Sequence, residues 1–295
     1  MEVVLAGASG LIGSALGASL RADGHRVKTL VRRPAPGPDF DSWDPTRGRL
    51  DPDFLRGADA VVCLSGVGVG DHRWTDAYKQ AILSSRIDSV GTVARSLAEY
   101  GGPRVLLAAS AIGYYGDTDD REVDEDAAAG DSFLSEVCVE WEAAADPARE
   151  AGVRVSHLRS ASVLARGGGF LKRLVPIVKA GVAGRLGSGR QYFPWISLTD
   201  EVAAIRFLLE HEIAGPVNLV SPGLVTNRQF TDTLGEVLRR PTVLPVPGLA
   251  ARIVLGELGT EVLSGQRALP TRLREAGFEF THPDLETALR AELAR

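Results

Sequence analysis

The sequence predicts an α/β fold in which a doubly wound parallel sheet is joined to a smaller C-terminal lobe. Short apolar runs alternate with stretches of helical period through residue 165, as in strands connected by right-handed crossover helices. These runs lack the polar alternation of a strand with one face in water, so helices are expected on both faces of the sheet. A glycine-rich turn separates the first run from the first helical stretch.

The predicted elements follow in chain order. Strands are predicted at residues 3–6, 27–31, 60–64, 105–109 and 153–158, and helices at residues 11–22, 77–100 and 133–151. Gly24 is placed to end the first helix in a left-handed cap. After residue 165 glycines become frequent, and a second lobe is expected to begin there. A helix at 199–211 and a strand at 217–220 are expected to return to the first sheet.

Composition and charge exclude several classes of protein. Hydrophobic residues make up 44% of the 295 residues and charged residues 24%, which is ordinary for a folded globular protein. The net charge is −5, so no basic field for nucleic acid or for a membrane surface is expected. No stretch approaches the roughly 18 consecutive apolar residues of a membrane span. We expect neither nucleic acid nor membrane as a partner.

Cysteine and histidine usage also limits the chemistry. Cys63 and Cys138 are too few for a disulfide framework and favour a reducing, cytoplasmic location. The five histidines show no metal-ligand spacing. The acidic run at residues 117–126 lacks the glycine and the last carboxylate of a calcium loop, so it is interpreted as a solvated loop. No metal is expected.

The turn after the first strand carries the clearest functional pattern. In VVLAGASGLIGSAL, Gly7, Gly10 and Gly13 lie between a strand and a helix, where side chains would block a tight turn and the approach of a pyrophosphate. The start of the helix offers backbone N–H groups to phosphates. The pattern predicts a dinucleotide site, and a glycine-rich packing turn is the alternative.

The end of the second predicted strand indicates which dinucleotide. An NAD site usually has Asp or Glu there to accept from the ribose 2′-hydroxyl, whereas this chain has Arg32 and Arg33. Two guanidinium groups suit a 2′-phosphate, so NADP (NADPH) is predicted in preference to NAD. The alternative is that both are solvated loop charges.

Eight segments spread over nearly the whole chain carry a recognisable pattern. They are GASGLIG (7–13), GADAVVCLSG (57–66), RWTDAYKQAILSSRI (73–87), SAIGYYGD (110–117), LRSASVL (158–164), GSGRQYFPWI (187–196), GPVNLVSP (215–222) and LSGQRALPTRLREAGFEF (263–280). The set resembles the extended short-chain dehydrogenase/reductase superfamily, and most closely its atypical NAD(P)-dependent epimerase subgroup, which is related to nucleotide-sugar epimerases.

The resemblance implies a domain division and a cofactor site. It implies a Rossmann domain of residues 1–165 with about 193–222, and a substrate lobe of about 166–192 with 223–295. The turn and the resemblance together assign to the cofactor Gly7, Ser9, Gly10, Leu11, Ile12, Gly13, Arg32, Arg33, Trp43, Asp44, Leu64, Ser65, Gly66, Arg86, Ser162 and Val163.

The resemblance also implies that Ser110 and Tyr115 face the nicotinamide. Ser110 follows an apolar strand and precedes a Gly-Tyr-Tyr-Gly turn, which favours an active-site role over the alternative of a hydroxyl that caps a loop. For Tyr114 and Tyr115 the alternative is a packed aromatic pair. Family enzymes use a Tyr with a Lys four residues later, and the Lys lowers the phenol pKa. This chain has Phe133 and Val137 at those positions, so the usual acid–base pair is missing. We therefore predict Ser110 and Tyr115 as the catalytic residues.

A later glycine-rich loop is the candidate substrate site. Arg185, Arg190 and Gln191 lie in it, and its glycines would let backbone N–H groups approach an anion. A flexible turn with incidental arginines is the alternative, and Arg73 is added on family analogy. The leading hypothesis is an NADP(H)-dependent oxidoreductase acting on a small-molecule carbonyl, alcohol or nucleotide-sugar-like substrate. The alternatives are a catalytically weak NADP(H)-binding regulatory protein and a nucleotide-sugar epimerase. The oligomeric state is left open between monomer and homodimer.

Overall fold

The computed structural model describes residues 1–294. Up to residue 164 the elements are β1 (Glu2–Ala6), α1 (Leu11–Ala22), β2 (Arg26–Val31), β3 (Phe40–Ser42), α2 (Pro52–Leu55), β4 (Ala60–Cys63), α3 (Asp76–Tyr100), β5 (Val105–Ala111), β6 (Glu122–Val123), α4 (Phe133–Ala143), α5 (Asp146–Glu150), β7 (Arg154–Ser160) and β8 (Ser162–Leu164). The remaining elements are α6 (Gly169–Lys179), β9 (Trp195–Ser197), α7 (Leu198–Glu210), β10 (Gly215–Leu219), α8 (Asn227–Leu238), α9 (Gly248–Leu255), α10 (Leu258–Leu263), β11 (Arg267–Ala268), α11 (Thr271–Glu275) and α12 (Leu285–Ala294).

Seven strands form the central sheet, in the order β10-β7-β5-β4-β1-β2-β3. The pairings of β1 with β2, β1 with β4, β2 with β3, and β4 with β5 are all parallel. The chain moves outward from β1 to β3 and then returns to β4 on the other side of β1. This order is that of a Rossmann-like α/β fold, and it confirms the predicted fold class.

The first strand and helix follow the sequence pattern closely. α1 begins after the glycine turn and buries Leu16 and Leu20 on one face. It ends at Ala22, with Asp23 as the C-cap residue, and Gly24 follows in the left-handed region with φ of 80°. The predicted cap is therefore confirmed. The predicted return of a late strand to the sheet is also confirmed, because β10 pairs beside β7.

Several elements differ from the predictions, among them α4, β3 and α6. The helix predicted at 133–151 is two helices, because α4 ends at Ala143 and α5 begins at Asp146. Pro147, in the first turn of α5, has no backbone N–H and cannot continue the preceding helix. β3, three residues at the sheet edge, and α6, inside the glycine-rich region, were not predicted.

The chain folds into two compact units. The first consists of Met1–Ser110, Val137–Leu158 and Val202–Val217. Its apolar core is made of sheet residues such as Val4, Val61 and Leu106, together with Trp43 and Trp141. This unit contains the predicted phosphate-binding turn.

The second unit consists of Ala111–Glu136, Arg159–Glu201 and the described chain from Asn218 onward. One of its apolar clusters surrounds Trp195 and Phe230, and another contains Ile112, Tyr115 and Val220. Residues 111–136 and 159–165 belong to this unit, whereas the sequence assigned them to the cofactor lobe. The division into a cofactor lobe and a substrate lobe concerns ligands and stays a prediction.

Candidate functional site

Four parallel strands of the sheet end at the same level. Ala6 pairs with Leu30 of β2 and with Cys63 of β4, and Cys63 pairs with Ala108 of β5. The segments that begin at Gly7, Val31, Leu64 and Ala109 therefore share the carboxyl edge of the sheet. In open α/β sheets, ligands bind at this edge, where the strand order reverses. Here the order reverses between β1 and β4.

Two glycines of the turn are required by close packing of the backbone, and a third borders open space. The Gly7 carbonyl accepts from the Gly10 N–H at 3.0 Å, and Gly7 has φ of 87°. A Cβ at Gly7 would lie 2.8 Å from the Leu64 carbonyl, and one at Gly13 would collide with the Gly7 carbonyl. A Cβ at the exposed Gly10 would meet only the Gly7 oxygen, at 3.3 Å. The space beside Gly10 is therefore open to a ligand.

The start of α1 supplies hydrogen-bond donors next to that space. Gly10 is the N-cap residue, and no side chain caps the helix. Ser9 is exposed, and Leu11 and Ile12 are half-exposed. The first N–H groups of a helix lack partners within the helix, and the helix dipole places partial positive charge there. A phosphate group fits this combination.

Arg32 and Arg33 lie exposed directly after β2. Ser42 Oγ of β3 donates to the Arg33 carbonyl at 2.8 Å, which holds the backbone at this position. Within residues 1–294 neither guanidinium group takes part in an ion pair or hydrogen bond. Both charges are therefore available to a ligand.

Trp43 and Asp44, predicted near adenine, have partners in the protein. Trp43 is buried in the core of the first unit, and its backbone N–H donates to the Val31 carbonyl at 3.0 Å. The Asp44 carboxylate accepts from Thr46 Oγ1 at 2.6 Å, and this bond lowers the pKa of Asp44. Any contact of Trp43 with a cofactor is therefore limited to the small exposed part of the residue.

Arg86 lies beside the segment formed by Leu64, Ser65 and Gly66. A Cβ at Gly66 would lie 3.3 Å from Arg86 Cγ. Arg86 is only 9% exposed, its Nη1 donates to the Ile82 carbonyl at 2.9 Å, and its guanidinium lies 4.9 Å from the Trp141 ring centroid. Burial lowers its pKa, and no carboxylate is paired with it among the described residues. A buried cation without a carboxylate suits an anionic ligand.

Ser110, near the end of β5, is buried and bonded to a carboxylate. Its Oγ donates to Glu142 Oε1 of α4 at 2.7 Å. Phe133 and Val137 lie on the same helix, and Val137 is buried. Neither side chain ionises, so α4 offers a glutamate in contact with Ser110 but no Tyr–Lys pair. The sequence did not reveal this contact, because the two residues are 32 positions apart.

Tyr115 lies in a buried polar network of the second unit. Its hydroxyl donates to Asn218 Oδ1 at 2.7 Å and accepts from Arg159 Nη1 at 2.9 Å. The side chain is 2% exposed, and burial raises the pKa of Tyr115 to about 12. The Tyr114 and Tyr115 rings pack edge to face, with centroids 5.3 Å apart. The Tyr115 proton is therefore directed at Asn218.

Three residues of this network, Arg159, Asn218 and Glu125, were missed. Arg159 also stacks on the Tyr114 ring at 3.5 Å from its centroid, and an arginine at the end of an apolar strand was the signal. Glu125 accepts from the Asn218 N–H at 3.0 Å. It is buried, and burial raises its pKa. The interpretation of residues 117–126 as a solvated loop is wrong for this part, since β6 also lies within it.

The remaining predicted residues lie at three places. Ser162 and Val163 form β8, opposite Trp195 and Ile196 of β9 in the second unit. In the 184–191 loop of that unit, Gln191 Nε2 donates to the Leu186 carbonyl at 3.1 Å, and Arg185 Nε is buried without a partner in the described chain. Arg190 is exposed in this loop, and Arg73 is exposed in the first unit.

Residues 1–294 contain no group of three or more His, Cys, Asp or Glu side chains with the arrangement of a metal site. None of the helices in that part of the chain combines the length and apolar character of a membrane span.

Residues 3–220 match the NAD dependent epimerase/dehydratase family, and residues 246–292 match a domain of unknown function (DUF1731). An epimerase family protein of Mycobacterium tuberculosis is 46% identical over 289 residues, covering 97% of this chain and 96% of that protein.

Two solved structures are also similar. The crystal structure of human epimerase family protein SDR39U1 (isoform 2) with NADPH has a TM-score of 0.91 and 31% identity, with 100% of both chains covered. A nucleoside-diphosphate sugar epimerase from Corynebacterium glutamicum has a TM-score of 0.82 and 33% identity, covering 99% of this chain and 58% of that one. The sheet order, the glycine turn and the match over residues 3–220 agree, and the chain belongs to the NAD dependent epimerase/dehydratase family.

Proposed function

We propose that this protein is an NADP(H)-dependent oxidoreductase of the epimerase type. The proposal rests on the carboxyl edge of the sheet in the first unit. This edge combines open space beside Gly10, the start of α1, and the unpaired side chains of Arg32 and Arg33. The glycine turn suits the pyrophosphate and Arg32 and Arg33 suit a 2′-phosphate. The NADPH in the human relative's structure supports the same choice of cofactor.

The glycine turn leaves room for a dinucleotide. No part of the protein fills the space beside Gly10, whereas Gly7 and Gly13 lie so close to neighbouring backbone that a side chain would not fit. Ser9, Leu11, Ile12 and the segment 64–66 are proposed to line the same site, with Arg86 as a buried positive charge. Ser162 and Val163 stay predicted cofactor contacts of the second unit.

When bound, NADP(H) supplies or accepts the hydride in this proposal. The protein then has to hold the reacting oxygen of a carbonyl or alcohol and to move one proton. We assign that oxygen to Ser110, which lies two residues beyond Ala108, the residue of β5 that pairs with the last residue of β4. Tyr115 stays a predicted site residue, although its hydroxyl is already bonded to Asn218 and Arg159.

The substrate class proposed is a small carbonyl or alcohol, with nucleotide-sugar-like molecules included. In the 184–191 loop, Arg185 has a buried Nε without a partner in residues 1–294, and Arg190 is exposed. Guanidinium groups of this kind suit a phosphate or carboxylate. Gln191 and Arg73 complete the predicted substrate set.

NADPH titration of the wild type and of Gly10→Val tests the cofactor site. We expect the wild type to bind and Gly10→Val to lose binding, because the new side chain fills the open space while leaving the fold intact. Gly167→Val is the control, since nothing lies within 4 Å of a Cβ there. Unchanged NADPH affinity in folded Gly10→Val would refute the assignment.

A binding protein without turnover is the second candidate. The observation in its favour is α4, where the buried Val137 and the half-buried Phe133 replace an ionisable pair. A screen of aldehydes, ketones and nucleotide sugars for NADPH oxidation separates the two candidates. Turnover favours the oxidoreductase, and NADPH binding with no turnover favours the regulatory alternative.

A further inference from the structure

Glu142 of α4 is an acidic residue that the sequence analysis did not single out. It is hydrogen-bonded to Ser110, the residue of the first unit to which the reacting oxygen is assigned. The Ser110 hydroxyl donates to its Oε1 at 2.7 Å, with Ser110 4% exposed and Glu142 half-buried. A hydroxyl has one proton to donate and two lone pairs that accept. With its proton on Glu142, Ser110 presents acceptor lone pairs to any other partner.

The Tyr115 hydroxyl differs from the Ser110 hydroxyl in the group that accepts its proton. Its proton is directed at Asn218, an amide that cannot take up a proton at neutral pH, and Arg159 donates to its oxygen. The carboxylate beside Ser110 can take up a proton and return it. The proton path from Ser110 therefore leads to an acid–base group, whereas the path from Tyr115 does not.

We propose that Glu142 exchanges the proton of the reaction with Ser110 and thereby replaces the missing Tyr–Lys pair. This inference rests on the proposed function. Glu142 acts through Ser110, so it is a positioning residue and proton store, while Ser110 contacts the reacting oxygen.

The step balances in both directions. In alcohol oxidation the carbon-bound hydrogen leaves as hydride to NADP⁺, the alcohol proton passes to Ser110 Oγ, and the Ser110 proton passes to Glu142. The products are the carbonyl, NADPH and a protonated Glu142 that releases its proton to water. In reduction Glu142 first takes up a proton from water, the hydride would come from NADPH, Ser110 protonates the substrate oxygen, and Glu142 passes its proton to Ser110.

The kinetic test uses Glu142→Gln, Glu142→Asp and the control Glu140→Gln, which alters an exposed glutamate of the same helix. The probes are NADPH with phenanthrenequinone and, in parallel, UDP-glucose with NADP⁺. We expect Glu142→Gln to lower kcat by about 10²-fold or more, as for loss of a general acid–base group. KM and the NADPH dissociation constant should stay within about threefold, and Glu142→Asp should recover part of kcat.

A second readout needs no turnover. The carboxyl ¹³C resonance of Glu142, assigned by its loss in Glu142→Gln, is recorded at one fixed pH in the cofactor-free protein. We expect Ser110→Ala to change its chemical shift, because the variant removes the hydrogen bond that Ser110 Oγ donates to Glu142 Oε1 at 2.7 Å. Glu140→Gln should leave it in place.

A kcat in Glu142→Gln within about threefold of wild type, or a Glu142 resonance unaffected by Ser110→Ala, would overturn the inference. Wild type that binds NADPH, but neither oxidises it with phenanthrenequinone nor reduces NADP⁺ with UDP-glucose, would also overturn it, because there would be no proton to exchange. Failure of the wild type to bind NADPH would instead overturn the proposed function.

Discussion

Glu201 gives a prediction whose magnitude follows from the structure. The residue lies in α7 with no exposed surface, and its Oε1 accepts from Ser160 Oγ at 2.6 Å. Its Oε2 is buried and has no hydrogen-bond partner in residues 1–294. Burial disfavours the charged form and raises the pKa of Glu201 from 4.5 to about 8.

The sign of the stability effect follows from proton uptake. Between pH 4.5 and about 8 the folded chain keeps the Glu201 proton and the unfolded chain releases it, so stability falls as pH rises through this window. The difference between the unfolded and folded pKa values of Glu201 corresponds to a loss of at most roughly 5 kcal/mol in the free energy of unfolding. Below pH 4.5 both states are protonated and the effect vanishes.

Glu201→Gln removes this titration while keeping a carbonyl oxygen for Ser160. We expect the variant to gain stability relative to wild type as pH rises from 5 to 9, with most of the gain complete near pH 8. Its buried amide has one more donor without a partner than the protonated carboxyl has, so near pH 5 it should be less stable than wild type, by about 1–3 kcal/mol.

Thermal and denaturant unfolding from pH 5 to 9 measure this difference. Because every other titrating group is common to the two proteins, the difference isolates Glu201. Glu210→Gln, at an exposed position of the same helix, is the control and should parallel wild type. A constant difference between Glu201→Gln and wild type across the whole pH range would refute the burial argument.

Three further variants test other parts of the structure. Gly13→Ala should lower the unfolding midpoint sharply, since its Cβ would collide with the Gly7 carbonyl; an unchanged midpoint would contradict this packing role. Arg86→Met should stabilise the cofactor-free protein, because it removes a buried charge without a carboxylate partner in the described chain. The same variant should weaken NADPH binding on the order of tenfold in titrations. Tyr115→Phe should cost about 1–3 kcal/mol in the free energy of unfolding, because it leaves polar partners unsatisfied in the network. Lost turnover with unchanged stability would instead favour Tyr115 as a catalytic residue.

The sequence predicted the features that local patterns determine. The first strand, the glycine turn and α1 were predicted within a residue, because apolar spacing and glycine placement act over short distances. α6 was missed although Leu171, Leu174 and Val178 recur at helical spacing, because the surrounding glycines favoured an irregular region. β3 is too short to carry a pattern.

The polar contacts of the site could not be predicted in the same way. Ser110 meets Glu142 across 32 positions, and Tyr115 meets Asn218 across 103. Such contacts depend on which strands become neighbours and on the register between them. The motif identified Ser110 and Tyr115, whereas the groups that decide their protonation lie outside that motif.

The central claim is an NADP(H) site, and the most direct test is the ratio of the NADH and NADPH dissociation constants. Fluorescence titrations of the wild type, the double variant Arg32→Ala with Arg33→Ala, and the control Arg56→Ala supply it. We expect NADPH to bind tenfold or more tightly in wild type, since each charge-assisted phosphate contact contributes about 1.5–3 kcal/mol. The ratio should approach one in the double variant, through weaker NADPH binding alone, and stay unchanged in Arg56→Ala. Equal affinities in wild type, or a ratio that survives loss of both arginines, would contradict the claim.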